Sequence, residues 1–173
     1  EILTLGLSDG RKIYQAVNQA YAPASPLWCR DQQACFLTDE GIFYQIDLDG
    51  GATLFNTNTL PRRTELLPVV HNLASGIVAH RDEVLFVDTE ARKVSRILKS
   101  ENRVFVTRPV VVDKLVYIGT QDGWVYCVHA GSRHEKWRIH VKGELVEDSL
   151  EIIEESLLVK TRSGSLLKLN RSA

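Results

Sequence analysis

A chain of 173 residues can bury a substantial hydrophobic core. With 21 Lys and Arg against 22 Asp and Glu, its net charge of -1 gives no overall field to draw it to nucleic acid or an anionic membrane. The longest apolar runs, at 110–112 and 115–118, are far too short to cross a bilayer as a helix. A sequence that opens Glu-Ile-Leu and contains no Met reads as an excised domain or a mature product.

In chain order, the first turn signal is Asp9-Gly10, between apolar stretches at 3–7 and 12–17. Four segments then begin at Pro26, Pro68, Pro109 and Ser149, at intervals of 42, 41 and 40 residues. Each leads into an apolar run, at 35–37, 76–78, 115–118 and 157–159. A polar turn follows in each: Asp39-Glu40-Gly41, Arg81-Asp82-Glu83, Gln121-Asp122-Gly123 and Arg162-Ser163-Gly164. After the turn comes another strand-like run, at 43–46, 85–87, 125–128 and 166–169, and three of the units continue into a last strand. The third unit predicts strands at 110–112, 115–120, 124–129 and 134–140, and the others follow by offset.

A second ladder is independent of the first. Tyr14, Phe55, Arg96 and Trp137 are spaced by 41 throughout, as are Leu5, Ile46, Val87, Val128 and Leu169. The ladder makes residues 5–15 the tail of a preceding unit. No window carries apolar residues at helical spacing for three turns, so the units are quartets of short antiparallel strands. Strands apolar on both faces, such as 110–112 and 115–118, need cover on both sides, which radial stacking of sheets supplies. The expected fold is therefore all-β: a β-propeller of four-stranded antiparallel blades with a repeat of about 41 residues, either four blades or part of a larger propeller. A solenoid is the competitor, but its coils usually repeat every 20 to 30 residues or so. The chain is expected to be one domain, 1–173, with units at about 1–25 (partial), 26–67, 68–108, 109–148 and 149–173. A closed four-bladed ring needs only the N-terminal strand near 12–17 to complete its last blade, leaving 3–7 surplus, so a segment of a larger propeller is favoured.

Cys29 and Cys35 flank a polar stretch at 30–34 that reads as a hairpin turn and would set them opposite each other. A disulfide and a pair of small buried apolar residues are both open readings there. Cys127 has no evident partner in the sequence.

Residues 115–130 contain an apolar strand ending Gly119-Thr120, the turn Gln121-Asp122-Gly123, the strand Val125-Tyr126-Cys127-Val128 and, beyond it, Trp137. This pattern resembles the repeat of the pyrroloquinoline-quinone-type propellers. The first and fourth units, at 36–47 and 159–170, match in outline, and the second diverges with Glu83 where Gly is expected. The family holds quinone-dependent dehydrogenases, outer-membrane assembly scaffolds and sensor domains that bind protein. Its dehydrogenases carry a vicinal Cys-Cys pair and a central calcium site, and no Cys-Cys dipeptide occurs here. The resemblance thus implies the non-enzymatic branch, with Trp137 docking between blades.

Other motifs read as structure. His80-Arg81-Asp82 lies in a turn with no glycine-rich loop elsewhere, and Arg162-Ser163-Gly164-Ser165 is a turn rather than a nucleophile elbow. His129, His134 and His140 lack paired ligand spacing and read as surface residues. Asn170-Arg171-Ser172 fits a glycosylation acceptor at the terminus. In a propeller, the loops between blades and the turns between second and third strands emerge on one face. Here that face would collect Tyr21, Arg62, Arg63, Arg103 and Glu144 with Glu40, Asp82, Asp122, Trp124 and Arg162. Trp124 beside its tight turn is read two ways, as a partner anchor and as packing on the neighbouring blade. The partner-binding candidates are Trp124, Tyr21, Arg62, Arg63, Arg103 and Asp122. No catalytic residue, metal ligand or cofactor is predicted. The expected function is a non-catalytic interaction or scaffolding module whose partner is another protein or further blades of the same parent, with no nucleic acid and no membrane insertion. The alternatives are a fragment or relative of a quinone-dependent oxidoreductase and a carbohydrate-binding propeller.

Overall fold

The computed structural model describes residues 2–5, 12–16, 28–30, 32–38, 42–49, 52–57, 67–72, 75–88 and 90–170. Among them are seventeen strands and no helix. The strands form antiparallel sheets in which every neighbour in space is a neighbour in sequence. The first pair is β1 (Ile2–Leu5) with β2 (Lys12–Ala16). A four-stranded sheet follows: β3 (Trp28–Arg30), β4 (Gln33–Leu37), β5 (Phe43–Asp47) and β6 (Thr53–Thr57). The next is β7 (Leu67–Asn72), β8 (Ser75–His80), β9 (Glu83–Asp88) and β10 (Lys93–Lys99). The third quartet is β11 (Val110–Val112), β12 (Leu115–Gly119), β13 (Trp124–His129) and β14 (His134–His140). Last comes a sheet of β15 (Leu150–Ile153), β16 (Ser156–Lys160) and β17 (Leu166–Asn170).

By internal packing the chain divides into two units, Glu1–Leu66 with Asp88–Val94 and Leu67–Val87 with Ser95–Ala173. In the first, Ala34, Phe36 and Ile46 form a small core against which Tyr44 and Leu48 pack. Phe36 and Tyr44 are directly cross-strand and stack with ring centroids 5.3 Å apart.

The second unit shows why its strands are apolar on both faces. Alternation along β12 and β13 sends Val116, Ile118, Tyr126 and Val128 to one side of the sheet, where they meet Ile77, Ala79, Val84, Ile97 and Leu98 of the preceding sheet. Tyr117, Val125 and Cys127 point the other way, against Leu150, Leu157 and Val159 of the following sheet. All seven of these β12 and β13 side chains are at most 1% exposed. Full burial of each aliphatic one contributes roughly 1.5–3 kcal/mol, so the central sheet is held from both sides. Trp137 packs on the second cluster, to which both sheets contribute, with its ring 6.0 Å from that of Tyr117 in its own sheet. The first strands of the sheets come together too, β11 lying against both β7 and β15.

The 41-residue ladder has a structural counterpart. In three hairpins the register slips at the same place: between Thr4 and Leu5, between Gln45 and Ile46, and between Cys127 and Val128. Opposite each slip one residue of the outer strand is skipped, namely Ile13, Leu54 and Lys136. These are β-bulges, which bend and twist an outer strand, and they recur 41 and 82 residues apart.

Three sequence expectations change in detail. The register pairs Trp28 with Cys35 and Cys29 with Ala34, so the two cysteines are not cross-strand partners and the placement a bridge between them would need is not adopted. The divergent second unit has a shorter turn: β8 runs to His80 and β9 starts at Glu83, with Arg81 in the left-handed region (φ 48). Glu83 therefore lies in a strand, and no glycine is needed there. In the third unit β12 stops at Gly119, because Thr120 leaves the ladder to bridge to Phe105. The predicted turns at Asp9-Gly10 and Asp39-Glu40-Gly41 lie outside the described residues.

Candidate functional site

Three of the turns between second and third strands are built around a buried threonine. Thr120 Oγ1 accepts the N–H of Trp124 at 3.2 Å and donates to Asp122 Oδ1 at 2.6 Å. Thr161 accepts the N–H of Ser165 at 3.1 Å, and Thr38 that of Ile42 at 3.1 Å. Each hydroxyl ties off a donor that the tight turn would otherwise strand without a partner. Gly123 completes the third-unit turn at φ 93; a Cβ there would lie 2.5 Å from the Val141 carbonyl oxygen.

Main-chain bonds then couple these turns to the loops between sheets. The loop after β10 donates from Phe105 N to the Arg81 carbonyl at 2.6 Å and accepts at Val104 from Gln121 N at 2.9 Å. It thereby joins the turn of one sheet to the turn of the next. The loop after β14 repeats the device 40 residues on, Leu145 N donating to the Gln121 carbonyl at 3.2 Å and the Glu144 carbonyl accepting from Arg162 N at 2.8 Å. Phe105 and Leu145, 3% and 2% exposed, plug these loops into the core. Ion pairs overlie the same junctions: Arg103 Nε to Asp122 Oδ2 at 3.3 Å, and Arg162 Nη1 to Glu144 Oε2 at 3.2 Å. The charges at the loop and turn positions are exchanged between the two junctions. Further along, Arg108 Nη2 meets Glu147 Oε1 at 2.7 Å, with Asp148 within 3.8 Å of Arg108 Nε. The Arg108 guanidinium is held above its ordinary pKa, first by its hydrogen bond to Glu147 and then by the charges of Glu147 and Asp148. These residues line a shallow cavity of about 420 Å³ with Val110, Val111 and Leu150, where β11 and β15 begin.

Trp124 is the centre of this face. It is half-buried and packs against the cluster that includes Ile118 and Tyr126. Its ring is also ringed by cations: the Arg103 guanidinium carbon stands 5.1 Å from the indole centroid and that of Arg138 5.8 Å. The His140 ring, cross-strand from Trp124, is 5.1 Å away by centroid. His140 Nε2 donates to the Asp122 carbonyl at 3.0 Å, since a carbonyl can only accept.

Of the six candidate residues the structure thus brings Trp124, Arg103 and Asp122 together, while Tyr21, Arg62 and Arg63 lie outside the described residues. Arg138 and His140 were missed: counting the predicted hairpin back from its turn places Ile139 opposite Trp124, and the skipped Lys136 shifts the pairing by one to His140. Glu144 and Arg162, expected on the same face, meet each other; Asp82 lies 3.7 Å from Lys99. His129 and His134 are cross-strand partners at one end of the β13–β14 hairpin and His140 is at the other. Among the described residues no group of three His, Cys, Asp or Glu side chains is placed to hold a metal ion.

No family model matches the chain, and no curated protein matches it. Solved structures do. BamB from Moraxella catarrhalis superposes with a TM-score of 0.70 at 16% identity, over 98% of this chain and 51% of that one. The chain therefore spans about half the length of BamB. The computationally designed Ika4 protein matches with a TM-score of 0.69 at 11% identity, over 93% of this chain and 98% of Ika4. BBS1N, solved in complex with ARL6DN, matches with a TM-score of 0.60 at 14% identity, over 80% of this chain and 43% of its own. At these identities the likeness concerns the fold, and the fold is a β-propeller.

Proposed function

We propose that the chain is a non-catalytic protein-interaction module of the pyrroloquinoline-quinone-type propellers, and that it engages its partner through the face bearing the inter-sheet loops and Trp124. The carrying observation is the constellation of Arg103, Asp122 and Trp124, a half-exposed indole beside rigid turns. Such an aromatic and arginine pair is the residue chemistry that dominates binding hot spots. The likeness to BamB and to BBS1N, the latter solved in a protein complex, supports the same reading.

Photocrosslinking tests it. A benzophenone amino acid at exposed Gln121, in the β12–β13 turn, is expected to trap a discrete partner in cells, whereas the same probe at exposed Ser132, in the β13–β14 turn at the other end of the sheet, is expected to trap none. Equal yields from both positions, or none from Gln121, would refute the assignment of the face.

A further inference from the structure

Arg103 and Arg138 are each engaged by a single carboxylate, and in both cases the ion pair is made through Nε: Arg103 with Asp122 at 3.3 Å and Arg138 with Glu135 at 3.6 Å. Neither Nη pair is committed to another group among the described residues. Their side chains are 29% and 48% exposed, so water and a ligand can reach them. The indole they share holds both guanidinium planes in place, which lowers the entropy lost when a ligand is gripped. An arginine steadied by one ion pair on its Nε side while its terminal fork stays open is a pre-oriented receptor for a carboxylate, and two of them within 6 Å of one ring centroid make a double receptor.

From this we infer that the Trp124 cluster recognises an acidic polypeptide segment, whose carboxylates take the open forks of Arg103 and Arg138 while its backbone or an apolar side chain lies on the exposed part of the indole. This rests on the interaction-module reading above and specifies the partner's chemistry. A peptide is favoured over an anionic lipid because the two forks are fixed around one aromatic ring. A membrane surface needs only a diffuse excess of cations, which a chain of net charge -1 lacks.

The test uses the whole chain and a fluorescein-labelled oligoglutamate peptide, followed by fluorescence anisotropy at low ionic strength. Saturable binding is expected, weakened about tenfold or more by Arg103→Glu and again by Arg138→Glu. Lys168→Glu, an equal charge change at an exposed position of β17, is expected to alter it by less than about twofold. Oligolysine and phosphatidylserine vesicles are expected not to bind. Circular dichroism checks the fold, and Arg103→Gln with Arg138→Gln give the same ranking should either reversal unfold the chain. Absence of saturable oligoglutamate binding, an equal loss with Lys168→Glu, or vesicle binding that matches the peptide would each overturn the inference. A partner still crosslinked from Gln121 under those outcomes would leave the interaction reading standing and remove only its acidic specificity.

Discussion

At Gly119, whose backbone is not in the left-handed region, a single methyl group would meet buried side chains. A Cβ built there lies 2.5 Å from Leu145 Cδ1 and 2.9 Å from Thr107 Cγ2, against about 3.5–4.0 Å for a comfortable carbon contact. Thr107 cannot swing aside without giving up the 2.7 Å bond its Oγ1 accepts from the Gly119 N–H. Leu145 is 2% exposed, packed in the core cluster, and its main chain is tied to Gln121, so its side chain moves aside only at the expense of its own packing. Gly119→Ala is therefore expected to cost about 2 kcal/mol, within the range of about 1–3 for an overpacked site. For a chain of this size that lowers Tm by about 4–8 °C. Leu145→Ala alone is expected to cost about 2–5 kcal/mol by opening a cavity. The double variant puts the new methyl into that cavity, so its loss should fall short of the sum by about 1–2 kcal/mol. Urea denaturation of the four proteins measures the cycle. Additivity within about 0.5 kcal/mol, or a neutral Gly119→Ala, would refute the idea that the loop after β14 is locked onto β12.

Three further outcomes follow from the same structure. The Tyr126 hydroxyl is buried with no hydrogen-bond partner among the described residues, so Tyr126→Phe should leave stability unchanged or raise it by up to about 1 kcal/mol in calorimetry. Thr161→Val removes the acceptor of the Ser165 N–H and should lose about 1–2 kcal/mol, read as a lower urea midpoint. The Arg108 guanidinium is a base whose folded pKa is raised, so its contribution is fully present below the unfolded value and is lost only as pH passes above the folded one. That window lies beyond the ordinary guanidinium range, so Arg108→Gln should shift Tm by the same amount near pH 7 and near pH 10; a shift that vanished at the higher pH would contradict the assignment.

The period was readable because the two things that repeat in each unit are side-chain signals: an apolar run with alternation, and a turn of small polar residues. Residues such as Val116 and Val125 announce two-sided burial, and Thr120 with Gly123 announces a tight turn. The bulges were foreshadowed but not recognised, since the ladder of Leu5, Ile46 and Val128 marks where each slip occurs while nothing in Ile13, Leu54 or Lys136 shows which residue is skipped. The links from Arg81 through Gln121 to Arg162 run through peptide groups, and peptide groups are the same in every residue, so no sequence pattern reports them. For the same reason the second unit looked anomalous: its turn is two residues shorter, and Arg81 adopts the left-handed conformation more often left to Gly. Arg103, Asp122 and Trp124 were legible as residues of one face, but Arg138 reaches them through strand pairing, two rungs from Trp124 and so on the same side.

The belt of peptide bonds has an evolutionary corollary. Val104, Gln121, Glu144 and Arg162 join consecutive sheets with their backbones while their side chains project into solvent. Substitution at these sites costs the framework little, because almost any residue brings the same amide. The exchange of sign between the Arg103–Asp122 and Glu144–Arg162 junctions already displays that tolerance within one chain. A rim so constructed lets recognition drift toward new targets while the architecture beneath it stays inherited.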